Sequence, residues 1–454
     1  MKSALPKVIT KTLDKPLICH ALSSVQSLRP KLVAVVTGHG ASLVEEAVEA
    51  ALQGGDLTFN EVAFPRQEEQ LGTAHAAASA LPALEGFEGT VLILCGDTPL
   101  LSTGTLTSML EKHHQTRSAV TLLSAIVSDP GGYGRIIRDS SGERVLKITE
   151  FKDCCTTERL IREINTGVYA VDAHFLRTAL SAIRNQNAQG EYYLTDIVEV
   201  AMAQQKTVSA LPVVDPDEWL GVNTYADLQQ VNELILRRRL DWFMREGVNI
   251  LDPRSVFIGE KVLIEPGVFI GPNTQLFGKT TLRHGCYIEG SCYLRDTEVG
   301  EGAVIKFSVR AEGAVVGKGA SVGPFAHLRP GSLLGESVKV GNFVETKNAE
   351  LGPKASAGHL SYLGDCTIGE RVNIGAGTIT CNYDGFAKHR TVIEEDCFIG
   401  SDSCLIAPLT IGRGSTVGAG SVISSDVPPY TLALTRAPLK VREGYVRKAR
   451  EKGS

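Results

Sequence analysis

The sequence has no long apolar run. Its most hydrophobic stretches, residues 32–36 and 91–95, fall far short of the ~20 residues that cross a bilayer, so no membrane span is expected. It also lacks an apolar signal core after Met-Lys-Ser-Ala-Leu-Pro-Lys, which predicts a cytoplasmic protein. Neither sign of charge is in excess: Lys+Arg 46 against Asp+Glu 51 leaves −5, which argues against nucleic acid or an anionic membrane as the main partner. No C-x-x-C occurs. The ten cysteines are scattered apart from Cys154 and Cys155, and they read as reduced thiols rather than a disulfide frame or a zinc site. What remains is an ordinary globular composition, 43% apolar and 21% charged, in 454 residues, enough for two or three domains.

Glycine is plentiful, with 46 residues, and a repeat explains much of its placement. From Ile258 an aliphatic residue returns at every sixth position, through Ile264, Ile270, Leu276, Leu282, Ile288 and Leu294. The register slips, resumes from Val316 to Val340, and returns from Ile393 to Ile423. Period six suits neither a 3.6-residue helix nor an alternating strand. It suits a chain wound round a triangular prism, one hexapeptide per face, with aliphatic side chains inward and Gly or small residues at corners. Residues 256–425 would then make about nine or ten coils stacked at ~4.8 Å. Residues 380–388 do not fit a hexapeptide and are expected to loop out.

The first half alternates apolar strands (32–37, 91–95) with helical stretches (41–52, 102–113), which predicts a mainly parallel α/β sheet. Residues 223–246 read as an amphipathic helix joining the halves, with Arg237, Arg238 and Arg239 on its solvated face. The expected organisation is an α/β domain over 1–222, a helical linker over 223–247 and a prism with a C-terminal tail over 248–454. Ligands of parallel α/β sheets sit beyond the carboxyl ends of strands, where Asp97 falls, and a carboxylate there suits Mg2+.

The hexapeptides resemble the left-handed parallel β-helix acyltransferases. The segments 5–7, 70–75, 131–136, 150–152, 163–167 and 221–223 together resemble the sugar-phosphate nucleotidyltransferases. With Leu328-Arg-Pro-Gly331, Glu345-Thr-Lys347, Ala357-Gly-His-Leu-Ser-Tyr-Leu-Gly-Asp365 and 373–385 added, nearly the whole chain resembles the bacterial bifunctional family that joins N-acetylglucosamine-1-phosphate uridyltransferase to glucosamine-1-phosphate N-acetyltransferase. The resemblance implies a Rossmann-like nucleotidyltransferase domain followed by a left-handed β-helix, a homotrimer assembled through the β-helix, and synthesis of UDP-N-acetylglucosamine from acetyl-CoA and UTP.

The resemblance also assigns residues. His359 matches the base that takes a proton from the sugar amine, a task suited to an imidazole with its ordinary pKa near 6.5. Arg329, Lys347 and Lys388 supply cations for the sugar phosphate. Tyr362, Asn373, Asn382 and Tyr383 match polar contacts to the sugar, and Ser401, Ala419 and Arg436 match contacts to acetyl-CoA. In the first half Asp97 and Asn223 match the holders of Mg2+. Lys7 matches a phosphate contact, Gln67, Gly72 and Thr73 a uracil site, and Gly134, Glu150 and Asn165 a sugar site.

One departure bears on the first activity. Members of that family carry L-x-x-G-x-G-T-R-M before the segment matching residues 2–7, and here Met1 stands where that motif ends. The expectation is therefore a chain with its first strand and glycine-rich loop missing, which acetylates but transfers uridylyl groups poorly. Two other readings stand beside it: an acetyltransferase with an inert first half, and a non-catalytic regulatory subunit.

Overall fold

Aliphatic side chains spaced by six can all face one axis only if the chain turns a third of a circle every six residues. In the computed structural model, which describes residues 5–452, the chain does this from Asn249 to Ala433. Short parallel strands stack into three walls. The first wall begins at Phe257–Ile258 and ends at Val422–Ile423, the second runs from Leu263–Ile264 to Leu409–Ile411, and the third from Asn249–Ile250 to Leu432–Ala433. Inward residues such as Ile258, Ile270, Leu276, Leu294 and Ile399 are fully buried in one continuous core. Each wall hydrogen-bonds its own strands coil to coil, so the backbone polar groups of these two-residue strands are paired despite their shortness.

Partner positions explain the slips in register. Down the first wall the inward residues are Ile258, Leu276, Leu294, Ala311, Leu328, Thr346, Leu363, Thr380, Leu405 and Ile423. A coil takes 18 residues when every side has six, as from Ile258 to Leu276, and 17 when one side has five, as from Leu294 to Ala311. Every five-residue side turns the edge between the first and second walls: Leu294 to Val299, Ala311 to Val316, Thr346 to Leu351 and Leu363 to Ile368. The same edge carries the long interruption, from Thr380 to Ile393. The loop is shorter than expected. Thr380 is buried and inward within the strand Ile379–Cys381, and the chain leaves the wall only at Asn382, returning at His389, whose N–H donates to Asn382 O.

The first unit, residues 1–235, differs from the expected sheet. Its six-stranded sheet is mixed: Val208–Pro212 and Val120–Ile126 run parallel, whereas Glu163–Asp172 pairs antiparallel with Val120–Ile126, Thr90–Ile93 and Arg135–Arg138. Arg135–Arg138 and Val145–Thr149 form a hairpin, whose short connection joins antiparallel neighbours, and Glu163–Asp172 lies between that hairpin and Val120–Ile126, antiparallel to both. Val33–Ala34 and Val62–Ala63 form a separate parallel pair. The helices Ala41–Gln53 and Thr103–Thr116 cover the expected segments, the second capped by Ser102 Oγ, which accepts from the Thr105 N–H at 3.1 Å.

The helix Tyr225–Arg245 is divided between the units. Leu228, Val231 and Leu234 pack with Leu17, Leu100 and Val222 of the first, and Leu240 and Phe243 join the core of the second, residues 236–454. Arg239 is not on a solvated face. Its guanidinium donates to the carbonyls of Glu260 and Val262, each at 2.9 Å, and stacks on Phe243, closing the first coil of the solenoid.

Candidate functional site

The second unit carries its candidate residues on two edges of the prism. Arg329, Lys347, Asp365, Asn382 and Lys388 lie where the first wall turns into the second, the edge of variable length. His359, Ser401 and Ala419 lie where the third wall turns into the first. Tyr362 stands outward on the first wall between those edges, and Asn373 stands outward on the third.

On the variable edge, carboxylates stand among the cations. Arg329 donates to Glu345 Oε1 at 2.8 Å, and this pair is about 40% exposed, so the contact orients more than it stabilises. Asp365 accepts from Asn348 Nδ2 at 2.7 Å and also from Asn382 Nδ2. Burial pushes the Asp365 carboxyl up, but these two amides and the charges of Lys347 and Lys388 outweigh it and hold the group below its usual range. The neighbouring Lys347 ammonium holds Lys388 below the usual lysine range. Two ammonium groups that act on each other and on one carboxylate carry a net positive charge that suits a second anion such as a phosphate. The loop above is tied down by Asp384, which accepts from the N–H groups of Phe386 and Ala387 and from His389 Nε2, at 2.7–2.8 Å, while Tyr383 Oη donates to Gly385 O at 2.6 Å. Backbone N–H groups first, then His389, hold the Asp384 carboxyl well below the carboxylate range.

On the other edge His359 ends the strand Ser356–His359 with its side chain exposed, and its carbonyl accepts from Ser361 Oγ at 2.9 Å. Among the described residues its imidazole has no hydrogen-bond partner. Ser401 and Ala419 follow at the same corner of later coils, and Arg436 folds back so that its Nε donates to Ala419 O at 3.1 Å.

In the first unit the candidates form a connected arc. Lys7 Nζ donates to Asn223 Oδ1 at 2.8 Å and to the Asp97 carboxylate, so both residues assigned to a metal aim oxygens at one cationic point. The Val222 N–H donates to Asp97 O at 2.9 Å, tying the two segments together. Tyr133 lies over Gly221, and its neighbour Gly134 packs on Glu150. Asn165 donates its N–H to Gly134 O at 2.9 Å and its amide to Tyr169 Oη at 2.7 Å. Thr73 Oγ1 accepts from the Leu194 N–H at 2.9 Å, and Gln67 Nε2 donates to Gly72 O at 3.1 Å. Gly72 is required twice over: its φ is +115°, and a Cβ there would sit 2.5 Å from Tyr192 O. Gln67 also lines a cleft of about 380 Å³ with Gly38, His39, Gly40, Arg66, Glu68 and Gln70.

Burial raises the Glu150 carboxyl, and burial pushes Asp196 up to about 6, with the like charges of Glu199, Glu150 and Asp153 adding to it. The folded chain holds the Asp196 proton more tightly than the unfolded chain does. Its contribution to stability is therefore complete below pH ~4 and lost as the pH rises through about 6. Asp196→Asn should melt with the parent chain near pH 4 and above it beyond pH ~6.5, as calorimetry at both pH values will read.

Glu345, Asp365, Tyr133 and Thr195, whose Oγ1 donates to Glu150 Oε1 at 3.4 Å, had no role in the reading of the sequence. Glu345 and Asp365 stand in the segments that carry the family resemblance, and the signal available was an acidic residue within three positions of a candidate cation or sugar contact.

Three stretches of the chain match known family models. Residues 2–238 match the family model of nucleotidyl transferases, residues 253–356 that of the GMPPB C-terminal domain, and residues 390–425 that of the hexapeptide repeat of succinyl-transferase. The chain is 43% identical over 445 residues to the bifunctional protein GlmU of Geotalea uraniireducens, covering 98% of this chain and 95% of the relative. It is 46% identical to the GlmU protein of Stutzerimonas stutzeri (98% and 96%) and 44% identical to that of Brevibacillus brevis (100% and 96%). The second unit is thus a left-handed parallel β-helix of hexapeptide repeats, and no helix among the described residues is long and apolar enough to cross a membrane.

Proposed function

Because the chain belongs to the bifunctional GlmU family, we propose that it acetylates glucosamine-1-phosphate with acetyl-CoA and then transfers a uridylyl group from UTP to the product, giving UDP-N-acetylglucosamine. The observation that carries the first step is the gathering of Arg329, Lys347 and Lys388 on one edge, with Glu345 bonded to Arg329 and the Asp365 carboxylate within electrostatic reach of both lysines. In this reading these cations take the sugar's phosphate, and Tyr362, Tyr383, Asn373 and Asn382 contact the sugar. His359 accepts a proton as the amine nitrogen attacks the acetyl carbonyl, the C–S bond breaks and CoA leaves as its thiolate. Ser401, Ala419 and Arg436 hold acetyl-CoA. The base and the cations lie on different edges of one prism, which supports a homotrimer whose sites are completed between copies. Light scattering should give about three times the 48.6 kDa chain mass.

For the second step, Asp97 and Asn223 fit a hard divalent cation, because their oxygens already converge on the Lys7 ammonium. Among the described residues no group of three or more His, Cys, Asp or Glu side chains is placed to hold a metal ion, so such an ion would keep water and phosphate oxygens as further ligands, as Mg2+ does. When bound it would neutralise charge on the triphosphate. Lys7 is then released to a phosphate oxygen, Gln67, Gly72 and Thr73 face the uracil, and Gly134, Glu150 and Asn165 face the sugar. A cytoplasmic location and domain limits near 222 and 248 complete the reading.

The direct test supplies glucosamine-1-phosphate, acetyl-CoA, UTP and Mg2+ to the purified chain and follows free CoA, pyrophosphate and the nucleotide sugar. Lys347→Ala should raise KM for glucosamine-1-phosphate at least tenfold, since hydrogen bonds to charged groups contribute ~1.5–3 kcal/mol, and leave pyrophosphate release unchanged. Absence of free CoA from the parent chain would refute the acetyl-transfer reading.

A further inference from the structure

Gly364 lies two residues after Tyr362 on the same wall strand, Tyr362–Ile368. Its φ is in the ordinary range, so the backbone does not call for glycine there. What calls for it is the ring: a Cβ on Gly364 would meet Tyr362 Oη at 2.5 Å and Tyr362 Cε1 and Cζ at 2.7 Å, far inside van der Waals contact. All three nearest atoms belong to that one side chain, so a methyl group there displaces the ring and not the wall. The wall beneath is fixed independently. The Gly364 N–H donates to Thr380 Oγ1 at 2.7 Å, and that hydroxyl donates back to Gly364 O at 2.9 Å.

The ring is thus laid along the strand, toward the edge that bears Lys347 and Asp365, and not straight out from the wall. Gly364 pairs in register with Lys347, and Tyr362 with Glu345, the carboxylate that accepts from Arg329, so a hydroxyl held over Gly364 lies on the stretch of wall that bears these cations. We propose that Gly364 is a positioning residue for acetyl transfer: its missing side chain is the seat that keeps the Tyr362 hydroxyl beside the cations of the sugar-phosphate site. This rests on the reading of Tyr362 as a sugar-site contact made above.

The test is a cycle of full-length variants assayed by free CoA release. Gly364→Ala should raise KM for glucosamine-1-phosphate about tenfold, with kcat and KM for acetyl-CoA within about threefold of the parent, because binding and not the chemical step loses a contact. In a Tyr362→Ala background the added methyl meets no ring, so the same change should have no further effect. A KM in Gly364→Ala equal to the parent's, or a further rise in the Tyr362→Ala background, overturns the proposal. If Tyr362→Ala itself leaves KM unchanged, the reading of Tyr362 as a sugar contact fails and the proposal falls with it. If Gly364→Ala does not assemble, the double variant decides the matter: assembly recovered on removing the ring supports the seat, and no recovery overturns it.

Discussion

His359→Ala should lower acetyl transfer by ~10²–10⁴ while leaving assembly and uridylyl transfer as they are, because a positioned proton acceptor contributes about that factor. The structure makes a clean result accessible. The side chain is exposed at the end of its strand, no described residue hydrogen-bonds its imidazole, and the core of the coil is built from Ala357 and Leu363 on either side. Removing it leaves neither a cavity nor an orphaned buried partner, so lost activity cannot be traced to lost folding. Free CoA release at saturating substrates is the measurement, and turnover within a few-fold of the parent would remove His359 from the role of base.

Asp97→Asn should act on the other reaction, lowering pyrophosphate release by ~10²–10³, the range seen when one preorganised electrostatic contact is withdrawn from a reacting centre. The change keeps the shape and removes the charge. Two consequences should appear together: a higher Mg2+ concentration for half-maximal rate, and no change in acetyl transfer, which uses residues of another unit. Asn223→Ala should show the same metal effect more weakly, because a neutral amide oxygen contributes less than a carboxylate. A normal metal titration in Asp97→Asn would show that this carboxylate does not hold the ion and serves only as the partner of Lys7.

Much of the second unit was legible in residue order because its rule is one-dimensional: each inward aliphatic fixes where the next must fall. The slips were not legible. A side of five and a side of six differ by one corner residue, and only the pairing of Leu294 with Ala311 shows that the prism absorbs the difference. The first unit was less transparent because partner choice there is made across long intervals. Nothing local in Glu163–Asp172 announces that it will pair with three strands and turn a supposedly parallel sheet mixed. At the candidate sites, motifs singled out the cations and the histidine but not the carboxylates that stand near the cations. Asp365 and Glu345 act through space on residues up to 23 positions away, and Lys7 meets Asn223 across 216 positions. Arg239 misled for a simple reason: three consecutive arginines look alike in a string, whereas a helix turns each to a different neighbour.

The confinement of every five-residue side, and of the one long excursion, to a single edge of the prism says something about how such a gene can change. Codons gained or lost along that edge alter the height of no coil and leave both other edges in step, so the reading of inward and outward side chains downstream is preserved. On both remaining edges every side from Ile258 to Ile423 keeps six residues. The edge that tolerates drift in length is also the one that bears Lys347, Asp365 and Lys388. Novelty in what the solenoid binds can therefore arise by insertion there without first breaking the stack that supports it.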